Sequence, residues 1–373
     1  MPANLDRSMP ATPASAPEDA AIRLAAIWCE VLGLDSVGPD DNYFDLGGDS
    51  SLAVALFSRI EREFGRRLPV VVLFEAPTVS SLAALLADRA SDLHPRIVPL
   101  QAEGAWPPLF LLHDASGDVF GYRSLAQRLG PDQPVYGIRA SGLDGEVEPA
   151  QNVEAMAAAY IPAIRSVQPT GPYYLAGYCG GGTLAYEVAQ QLARAGQSVA
   201  FLGLLDTRNW SALPKATVGS RLRKQLERLS FHAQAFARLN ASDRRRLWRE
   251  KVKILRARIP VWRDRLRVPG SKTARAPLTA VWAANDRACA EYRALPYPGR
   301  ITEFRPKWQY HGLRQADADW QRLAAGGAES CILPLYPATM LVEPYVAETA
   351  AALRRELERA RRARPRAVHA AAR

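Results

Sequence analysis

The sequence predicts two domains, a small all-α bundle near the N-terminus and a larger α/β domain with a mostly parallel sheet. Three observations lead to this prediction. Apolar residues recur at spacings of three and four between residues 18 and 90, which is the helical period. Apolar strand-like segments alternate with helical segments from residue 98 onward. The chain, at 373 residues, is also long enough for two compact units.

The composition is that of a folded globular protein. Of the residues, 48% are hydrophobic and 23% are charged, and no uninterrupted apolar run of about 18 residues is present. We therefore expect no membrane-spanning segment. Residues 1–17 lack the basic-then-apolar layout of a signal peptide, and we expect a disordered lead-in there. The four cysteines lie far apart, which fits a reducing cytoplasm and indicates neither disulfides nor a metal site; they are Cys29, Cys179, Cys289 and Cys331.

The charge is unevenly distributed. The formal net charge is +10, but residues 18–89 hold twelve acidic and six basic residues, whereas residues 221–267 hold sixteen basic and four acidic ones. The basic stretch fits solvated faces of amphipathic helices, a nucleic-acid surface, or a surface that attracts the acidic domain of this or another chain. No recognition motif or patterned aromatic residues accompany the arginines, so we expect no nucleic-acid partner.

The N-terminal domain is predicted to be a bundle of four helices. Its first helix begins near Glu18, and its second begins at Asp49–Ser50, after a Gly-rich loop. The stretch "LPVVVLFEAPTVSSLAALLADR" supplies a short helical turn, a boundary at Pro77–Thr78 and the last helix. The bundle covers residues 18–90, and residues 91–97 form a linker.

The C-terminal domain alternates between strands and helices across residues 98–361. The predicted strands are Pro108–Asp114, Val135–Ala140, Tyr173–Cys179, Val199–Thr207, Ile301–Pro306 and Ala328–Tyr336. The alternation gives way to basic helical segments at about residues 208–277, which is the profile of an insertion or lid. A helix near Glu343–Arg361 closes the domain, and residues 362–373 form a basic tail.

The motif "FDLGGDSSLAV" is the most specific one in the chain. Gly47–Gly48 permits a tight turn, and Asp49 favours a helix start that exposes the Ser50 hydroxyl at a helix N-terminus. A phosphodiester on that hydroxyl gains from the helix dipole and the free N–H groups. The motif taken alone also fits a simple capped helix with no further role.

Residues 18–89 as a whole closely resemble the peptidyl or acyl carrier proteins of nonribosomal peptide and polyketide synthases. The resemblance implies that Ser50 receives 4′-phosphopantetheine from a phosphopantetheinyl transferase. Ser51 follows it where the family usually has leucine, and Leu52 supplies the apolar side chain one position later.

The motif "YLAGYCGGG" has the spacing of a nucleophile elbow, with a thiol where a serine hydroxyl is usual. Such a strained strand-to-helix turn needs small neighbours, and Gly177, Gly180 and Gly181 provide them. The following helix N-terminus is expected to favour the thiolate of Cys179. The alternative is a buried, unreactive thiol.

The C-terminal domain resembles the type I thioesterases that end such synthases, roughly from Val98 to Arg361. Three stretches carry the resemblance. The stretch "PLFLLHDASGDVFGYRSLAQRLG" resembles the family's strand that ends in His-Pro-Ala-Gly-Gly and is followed by a helix. The stretches "YYLAGYCGGGTLAYEVAQQL" and "VAFLGLLDT" resemble its nucleophile elbow and its acid-bearing strand. The resemblance implies an α/β-hydrolase fold with a helical lid, in which Cys179 is the nucleophile and Asp206 the triad acid.

The resemblance also implies an oxyanion hole made by the backbone N–H groups of Gly180 and Ala115. Asp114, which precedes Ala115, stands where the family commonly has proline.

The family's general base is missing from its usual place. The family has a "GDHxxML" segment after the last strand, whereas this chain has "LYPATML", with Pro337 at the histidine and Tyr336 at the aspartate. Proline cannot accept or donate the proton, so the relay needs another group. His311 follows the strand Ile301–Pro306 at the same sheet edge as the elbow, and it is the candidate base. The other histidines fall in the linker, a strand end, the lid and the tail; they are His94, His113, His232 and His369.

Together these features predict a carrier–thioesterase didomain of nonribosomal peptide or polyketide synthesis. Ser50 carries an acyl or peptidyl group as a phosphopantetheine thioester, and Cys179 offloads it by hydrolysis, cyclisation or transfer to an amine. The expected partners are a phosphopantetheinyl transferase, upstream synthetase or synthase modules or an adenylating enzyme, and the acyl or peptidyl substrate. The alternative is a carrier module joined to a degenerate, non-catalytic thioesterase fold used for docking, which Pro337 favours.

Overall fold

The computed structural model describes residues 17–48, 50–66, 68–88, 96–143, 147–209, 277–308, 318–336 and 339–363. The chain divides into two compact units, Met1–His94 and Pro95–Arg373. The lid prediction for residues 208–277 falls almost entirely on residues outside the described ranges.

The first unit is helical, as predicted. Its α-helices are α1 (Pro17–Leu32), α2 (Ser50–Phe64) and α3 (Val79–Ala87), and a short 3₁₀ helix spans Val70–Phe74. The helices pack on fully buried side chains that include Leu24, Trp28, Tyr43, Leu56, Ile60, Leu73 and Leu82. Helix α3 begins with a reciprocal cap: Thr78 Oγ1 accepts from the Ser81 N–H at 3.1 Å, and Ser81 Oγ accepts from the Thr78 N–H at 3.0 Å.

The loop before α2 is shaped by its glycines. The Tyr43 N–H donates to the Pro77 carbonyl at 2.8 Å, and the Gly48 N–H donates back to the Tyr43 carbonyl at 3.0 Å. A Cβ on Gly48 would lie 2.3 Å from the Tyr43 ring, and Gly47 has a φ of 88°. Only glycine meets both demands, so the Gly47–Gly48 pair fixes the approach of the chain to the start of α2.

The second unit is built on a seven-stranded sheet in the order β1-β3-β2-β4-β5-β6-β7. The strands are β1 (Ile97–Gln101), β2 (Leu109–Leu112), β3 (Val135–Ile138), β4 (Tyr173–Tyr178), β5 (Val199–Leu205), β6 (Ile301–Pro306) and β7 (Ala328–Leu333). Strand β1 is antiparallel to β3, and the other neighbours are parallel. The mostly parallel sheet is therefore as predicted. Strand β1 was not predicted, because its short run contains Pro99 and buries only one side chain fully.

Helices cover both faces of the sheet. They are α4 (Arg123–Arg128), α5 (Val153–Val167), α6 (Gly180–Arg194), α7 (Pro277–Glu291), α8 (Ala318–Leu323) and α9 (Val346–Arg362). Helices α5, α6 and α7 pack together on one face, while α4 and α9 contact each other and the sheet on the other. The core between sheet and helices is apolar and includes Phe110, Leu112, Tyr160, Leu175, Leu184, Val188 and Leu202.

Several predicted strands end earlier than the sequence indicated. Strand β2 stops at Leu112, and β7 stops at Leu333. The residues beyond them turn into loops at the carboxyl edge of the sheet, where parallel α/β folds place their functional groups. In the part of the chain that the structure describes, no helix combines the length and the apolar character needed to span a membrane.

Candidate active site

The candidate nucleophile Cys179 lies between the end of β4 and the start of α6. Its backbone has φ 54° and ψ −118°, a strained conformation for a residue with a side chain. A Cβ on Gly177 would lie 2.1 Å from the backbone of Gly181, and one on Gly181 would lie 2.3 Å from the Leu112 carbonyl oxygen. The sharp turn therefore depends on these glycines, as the motif predicted.

A further glycine, Gly182, adjoins the loop that carries Asp206. A Cβ on Gly182 would lie 1.9 Å from the Thr207 Oγ1, so no larger residue fits without movement. The Trp320 indole N–H donates to the Thr207 carbonyl at 3.2 Å and fixes the other side of that loop. The sequence motif explains the glycines at the turn itself, but the role of Gly182 depends on a packing partner 25 residues away (207 − 182).

Asp206 follows β5 directly and also has a positive φ, of 44°. The Cys179 N–H donates to the Leu205 carbonyl at 2.9 Å, and the Asp206 N–H donates to the Phe304 carbonyl at 2.9 Å. Because Tyr178 pairs with Leu205 in the sheet, Cys179 and Asp206 occupy matching positions at the ends of two adjacent strands.

Arg208 is a charged neighbour that the sequence analysis did not identify. Its Nη2 lies 4.0 Å from Asp206 Oδ1, and the two side chains are only 12% and 11% exposed. Its positive charge also lowers the pKa of Cys179. In the sequence Arg208 is only the first residue of the predicted lid.

The end of β2 is tied to the elbow by Tyr122. The buried Tyr122 hydroxyl donates to the Leu112 carbonyl at 2.7 Å and accepts from the Tyr178 N–H at 2.8 Å. This one hydroxyl joins the loop after β2 to the strand that ends at Cys179. No motif in the sequence marked Tyr122, because its role depends on contacts between strands.

The two predicted oxyanion donors lie next to each other. A Cβ on Gly180 would lie 3.8 Å from the Ala115 backbone nitrogen. The Ala115 carbonyl accepts from Asn285 Nδ2 at 3.2 Å, which anchors the loop to α7. Within the described part of the chain, the Ala115 N–H has no acceptor. This arrangement can present two N–H groups to one oxygen atom.

Asp114 lies in the same loop. Its Oδ1 accepts from the Ser116 N–H at 2.8 Å and from the Ser116 hydroxyl at 2.5 Å. Burial raises the pKa of Asp114; the two Ser116 hydrogen bonds oppose this, and the charges of Asp118 and Asp286 add to it.

Burial also raises the pKa of Cys179, to about 11, and the charges of Asp114 and Asp206 act in the same direction. The hydrogen bond from the Gly180 N–H and the charge of Arg208 oppose them. The N–H group at the helix N-terminus thus acts in the expected direction, but burial and two carboxylates outweigh it and the net shift of the Cys179 pKa is upward.

His113 is the one histidine among the described residues, and both of its ring nitrogens contact groups inside the fold. It is fully buried, with Nε2 2.6 Å from the Tyr160 hydroxyl and Nδ1 2.7 Å from the Asp114 carbonyl oxygen. Burial lowers its pKa to about 4. Both ring nitrogens are engaged inside the fold, so His113 is not available as a base for Cys179.

The other four histidines lie outside the described residues, and so does Pro337; the histidines are His94, His232, His311 and His369. The segments that border His311 and Pro337 are described. Trp308 stacks on Tyr336 with ring centroids 4.8 Å apart, and the Thr339 hydroxyl donates to the Tyr336 carbonyl at 2.8 Å. The loops after β6 and β7 thus lie side by side where they leave the sheet.

Helix α7 brings a second thiol towards the elbow. Cys289 Sγ lies 3.9 Å from the Gly180 carbonyl oxygen, and burial raises its pKa to about 12, with a smaller contribution from Cys179. Its sequence position gave no sign of this proximity. Across the described residues, no group of three or more His, Cys, Asp or Glu side chains could hold a metal ion.

In the first unit, Ser50 is the first residue of α2, a helix of 15 residues. Asp49 and the Ser50 side chain lie outside what the structure describes. A residue at the start of a long helix, reached through the tight Tyr43–Gly48 turn, fits covalent attachment of a phosphate group, because the free N–H groups and the helix dipole favour negative charge there.

Comparison with known proteins agrees with both units. Residues 107–322 match the profile of the thioesterase domain family. Residues 23–86 match the profile of the phosphopantetheine attachment site. The first of these matches covers more than half of the chain.

The similar curated proteins are synthetases. The chain is 43% identical over 192 residues to malpibaldin synthetase of Mortierella alpina, which covers 51% of this chain and 4% of that protein. It is 43% identical over 187 residues to the dimodular nonribosomal peptide synthase of Bacillus subtilis, covering 49% of this chain and 8% of that one. It is 37% identical over 197 residues to enterobactin synthase component F of Escherichia coli, covering 50% and 15%. The chain therefore spans only a small part of the length of these relatives.

The similar solved structures share the fold. A four-domain nonribosomal peptide synthetase, holo-AB3403 bound to AMP and glycine, superposes with a TM-score of 0.54 at 24% identity, covering 95% of this chain and 28% of that one. The NocB thioesterase domain in covalent complex with a fluorophosphonate nocardicin G analogue gives a TM-score of 0.50 at 21% identity, covering 70% and 99%. The larger unit thus has an α/β-hydrolase fold, as the resemblance implied.

Proposed function

Since the chain belongs to the thioesterase domain family and carries a phosphopantetheine attachment domain, we propose that it releases an acyl or peptidyl group held on that domain. One observation carries the proposal. Cys179 occupies a strained elbow between β4 and α6, beside the adjacent Gly180 and Ala115 backbones and in register with Asp206. This arrangement supports the assignment of Cys179 as nucleophile, of the two backbone N–H groups as oxyanion hole and of Asp206 as acid.

We propose Ser50 as the attachment residue. Its position at the start of α2 and the Gly47–Gly48 turn support this assignment. The bound 4′-phosphopantetheine supplies a thiol on a flexible arm, and this thiol holds the acyl group as a thioester. A phosphopantetheinyl transferase and upstream synthetase modules are the proposed partners, since the similar curated proteins are much longer synthetases. A cytoplasmic location follows from the same proposal and from the separated cysteines.

In the proposed reaction, Cys179 attacks the thioester carbonyl and becomes acylated. The N–H groups of Gly180 and Ala115 stabilise the negative charge that develops on the carbonyl oxygen. Asp206, paired with Arg208, supports the site electrostatically, and His311 is the imidazole that the sequence offers as a base. An acceptor then attacks the carbonyl carbon and releases Cys179.

The acceptor is water, an amine or a nucleophile within the acyl chain itself. Transfer from one thioester to another is near neutral in free energy, and the product on Cys179 stays more activated than a serine ester. This activation suits attack by an amine or ring closure as well as hydrolysis, and the three outcomes give different released products.

The test uses the full chain with its carrier loaded from acyl-coenzyme A by a phosphopantetheinyl transferase. Mass spectrometry of wild type, Ser50→Ala, Cys179→Ala and His311→Ala follows the acyl group. We expect no loading of Ser50→Ala, and a loaded arm but no acylated Cys179 in Cys179→Ala. Equal release by wild type, Cys179→Ala and His311→Ala would contradict the catalytic assignment.

A second candidate function is supported by the raised pKa of Cys179 and by the buried His113. In this case the thioesterase fold no longer catalyses release and serves to hold or dock the carrier. The same experiment separates the two, because a docking domain leaves the acyl group on the arm in wild type.

A further inference from the structure

We propose that Asp114 accepts and returns the proton of Cys179, in the role that an imidazole has in related sites. This inference rests on the proposed function, since it concerns the same thiol. Asp114 stands where the family commonly has proline, which has no titratable group. The carboxylate is therefore a departure from the family's pattern.

The backbone on both sides of Asp114 packs against the residues that follow Cys179. A Cβ on Gly181 would lie 2.7 Å from the His113 carbonyl oxygen, and one on Gly180 would lie 3.8 Å from the Ala115 nitrogen. Asp114 is therefore held beside the elbow by its two chain neighbours. Of the charged groups that act on the Cys179 thiol, Asp114 acts most strongly.

The Asp114 carboxylate is oriented and keeps one oxygen available. Both Ser116 hydrogen bonds go to Oδ1, and no donor among the described residues reaches Oδ2. Asp206 is less suited to the role, because its Oδ1 already pairs with the Arg208 guanidinium at 4.0 Å. Burial raises the pKa of Asp114 and so makes it a stronger base than an exposed carboxylate.

The protons and bonds balance in both steps. As Cys179 Sγ bonds to the thioester carbonyl carbon, its proton passes to Asp114 Oδ2. The bond from that carbon to the sulfur of the departing thiol then breaks, and the proton passes to that sulfur. In the release step, the O–H or N–H proton of the acceptor goes to Asp114, the acceptor bonds to the carbonyl carbon, and the Cys179 C–S bond breaks. The proton returns to Cys179 Sγ.

The test compares two reactions of the same thiol in Asp114→Asn. The asparagine keeps an oxygen for Ser116 but removes the charge and the base. Alkylation by iodoacetamide requires only the thiolate, so loss of a nearby negative charge is expected to speed it about three- to tenfold. Single-turnover acylation of Cys179 by the acetyl and octanoyl thioesters of N-acetylcysteamine needs the base, and we expect it to fall about 10²-fold.

Asp132→Asn is the control for the loss of one negative charge. Asp132 is an exposed residue of the same unit, and it is not among the groups that shift the pKa of Cys179 or of Asp114. We expect neither reaction to change more than about twofold. If acylation by Asp114→Asn rises together with alkylation, Asp114 acts only through its charge and the proposal is wrong. If His311→Ala loses acylation while Asp114→Asn keeps it, His311 is the base and the proposal is again wrong.

The wild-type pH profile gives a test that needs no variant. The groups that face Cys179 and Asp114 are Tyr122, Tyr178, Asp206, Arg208, Asp286 and Cys289 on neighbouring elements, and Asp118 in the loop itself. With Asp114 as base, the acylation rate rises with pH as one carboxyl group ionises and then stays level through neutral pH. A rate that instead rises tenfold per pH unit up to about pH 11 follows the free thiolate and overturns the proposal.

The failure of this proposal is distinguishable from the failure of the proposed function. If wild-type Cys179 is never acylated, by the loaded carrier or by either soluble thioester, both are wrong. If wild type and Asp114→Asn are acylated at the same rate, Cys179 is the nucleophile and only the role of Asp114 is wrong.

Discussion

Cys179 and Asp206 follow adjacent parallel strands at matching positions, because the Cys179 N–H donates to the Leu205 carbonyl at 2.9 Å. Both residues have a positive φ, 54° and 44°. The strand pairing therefore extends to the proposed nucleophile and places the proposed acid at the matching position of the next strand. This relationship is set by the sheet. Four predictions about the site and the residues around it can be measured.

The reactivity of Cys179 towards iodoacetamide should rise steeply with pH. Burial and the charges of Asp114 and Asp206 raise its pKa to about 11, so each pH unit between 7 and 10 is expected to increase the rate about tenfold. Mass spectrometry of the tryptic peptide containing Cys179 gives the rate. A rate that levels off below pH 9 would show an activated thiol and contradict the effect of burial.

Gly182→Ala should destabilise the second unit. The added methyl group would lie 1.9 Å from Thr207 Oγ1, and relieving such overpacking costs about 1–3 kcal/mol. Urea unfolding should show a lower midpoint, and acylation of Cys179 should slow because the loop carrying Asp206 must shift.

Gly121→Ala is the control for Gly182→Ala. A Cβ on Gly121 meets nothing within 4 Å, so the midpoint should not fall. A loss of equal size in the two variants would mean that backbone freedom, and not the contact with Thr207, sets the cost.

Tyr122→Phe should weaken the connection between β2 and β4. The change removes the hydroxyl that bonds the Leu112 carbonyl and the Tyr178 N–H, both buried within the sheet edge. Leaving such groups unsatisfied costs about 1–3 kcal/mol of unfolding free energy.

The matched variant is Tyr136→Phe, whose hydroxyl makes no hydrogen bond among the described residues. Its unfolding free energy is expected to stay within about 0.5 kcal/mol of wild type. Hydrogen exchange of the Tyr178 amide should accelerate only in Tyr122→Phe; the same protection in both variants would argue against the bridging hydroxyl.

The stability of the second unit should fall in mild acid because of His113. Burial lowers the pKa of His113 to about 4, whereas the unfolded chain takes up this proton near the ordinary value of 6.5. Between these values the unfolded state binds more protons, so the unfolding free energy falls as the pH decreases from 6.5 to 4. The shift corresponds to a loss of up to about 3 kcal/mol.

Proton NMR of the His113 ring measures this directly. The ring resonances should not titrate between pH 6 and 8, in contrast to those of an exposed histidine. A His113 ring that titrates near pH 6.5 would contradict its burial between Tyr160 and the Asp114 carbonyl.

Much of the fold followed from local sequence patterns. The period of apolar residues predicted α1, α2 and α3, and the apolar runs predicted β2 to β7, because each signal lies within a few consecutive residues. Strand β1 and helices α7 and α8 did not follow. Strand β1 pairs with a segment about 40 residues away, and α7 is defined by its packing on α5 and α6 more than by its own pattern.

The candidate site, like the fold, could be predicted only in part. The elbow glycines and Asp206 were predicted because turn geometry and strand ends leave local marks in the sequence. The pKa of Cys179 could not be predicted in this way: the helix N-terminus was expected to favour the thiolate, but the pKa is raised. A helix N-terminus is visible in the sequence, but burial in the fold outweighs it, together with two carboxylates that follow two other strands, β2 and β5.

By itself, the sequence determined the two-domain architecture, since motif spacing encodes turns, caps and strand ends directly, and its resemblance to carrier and thioesterase domains indicated the family of each domain. Only the tertiary structure decided which groups surround the thiol. It set Asp114 and Ala115 beside the elbow, paired Arg208 with Asp206, and enclosed His113. The physical reason is that pKa shifts and oxyanion geometry depend on distances between residues far apart in the chain, which only the packed sheet and its helices fix.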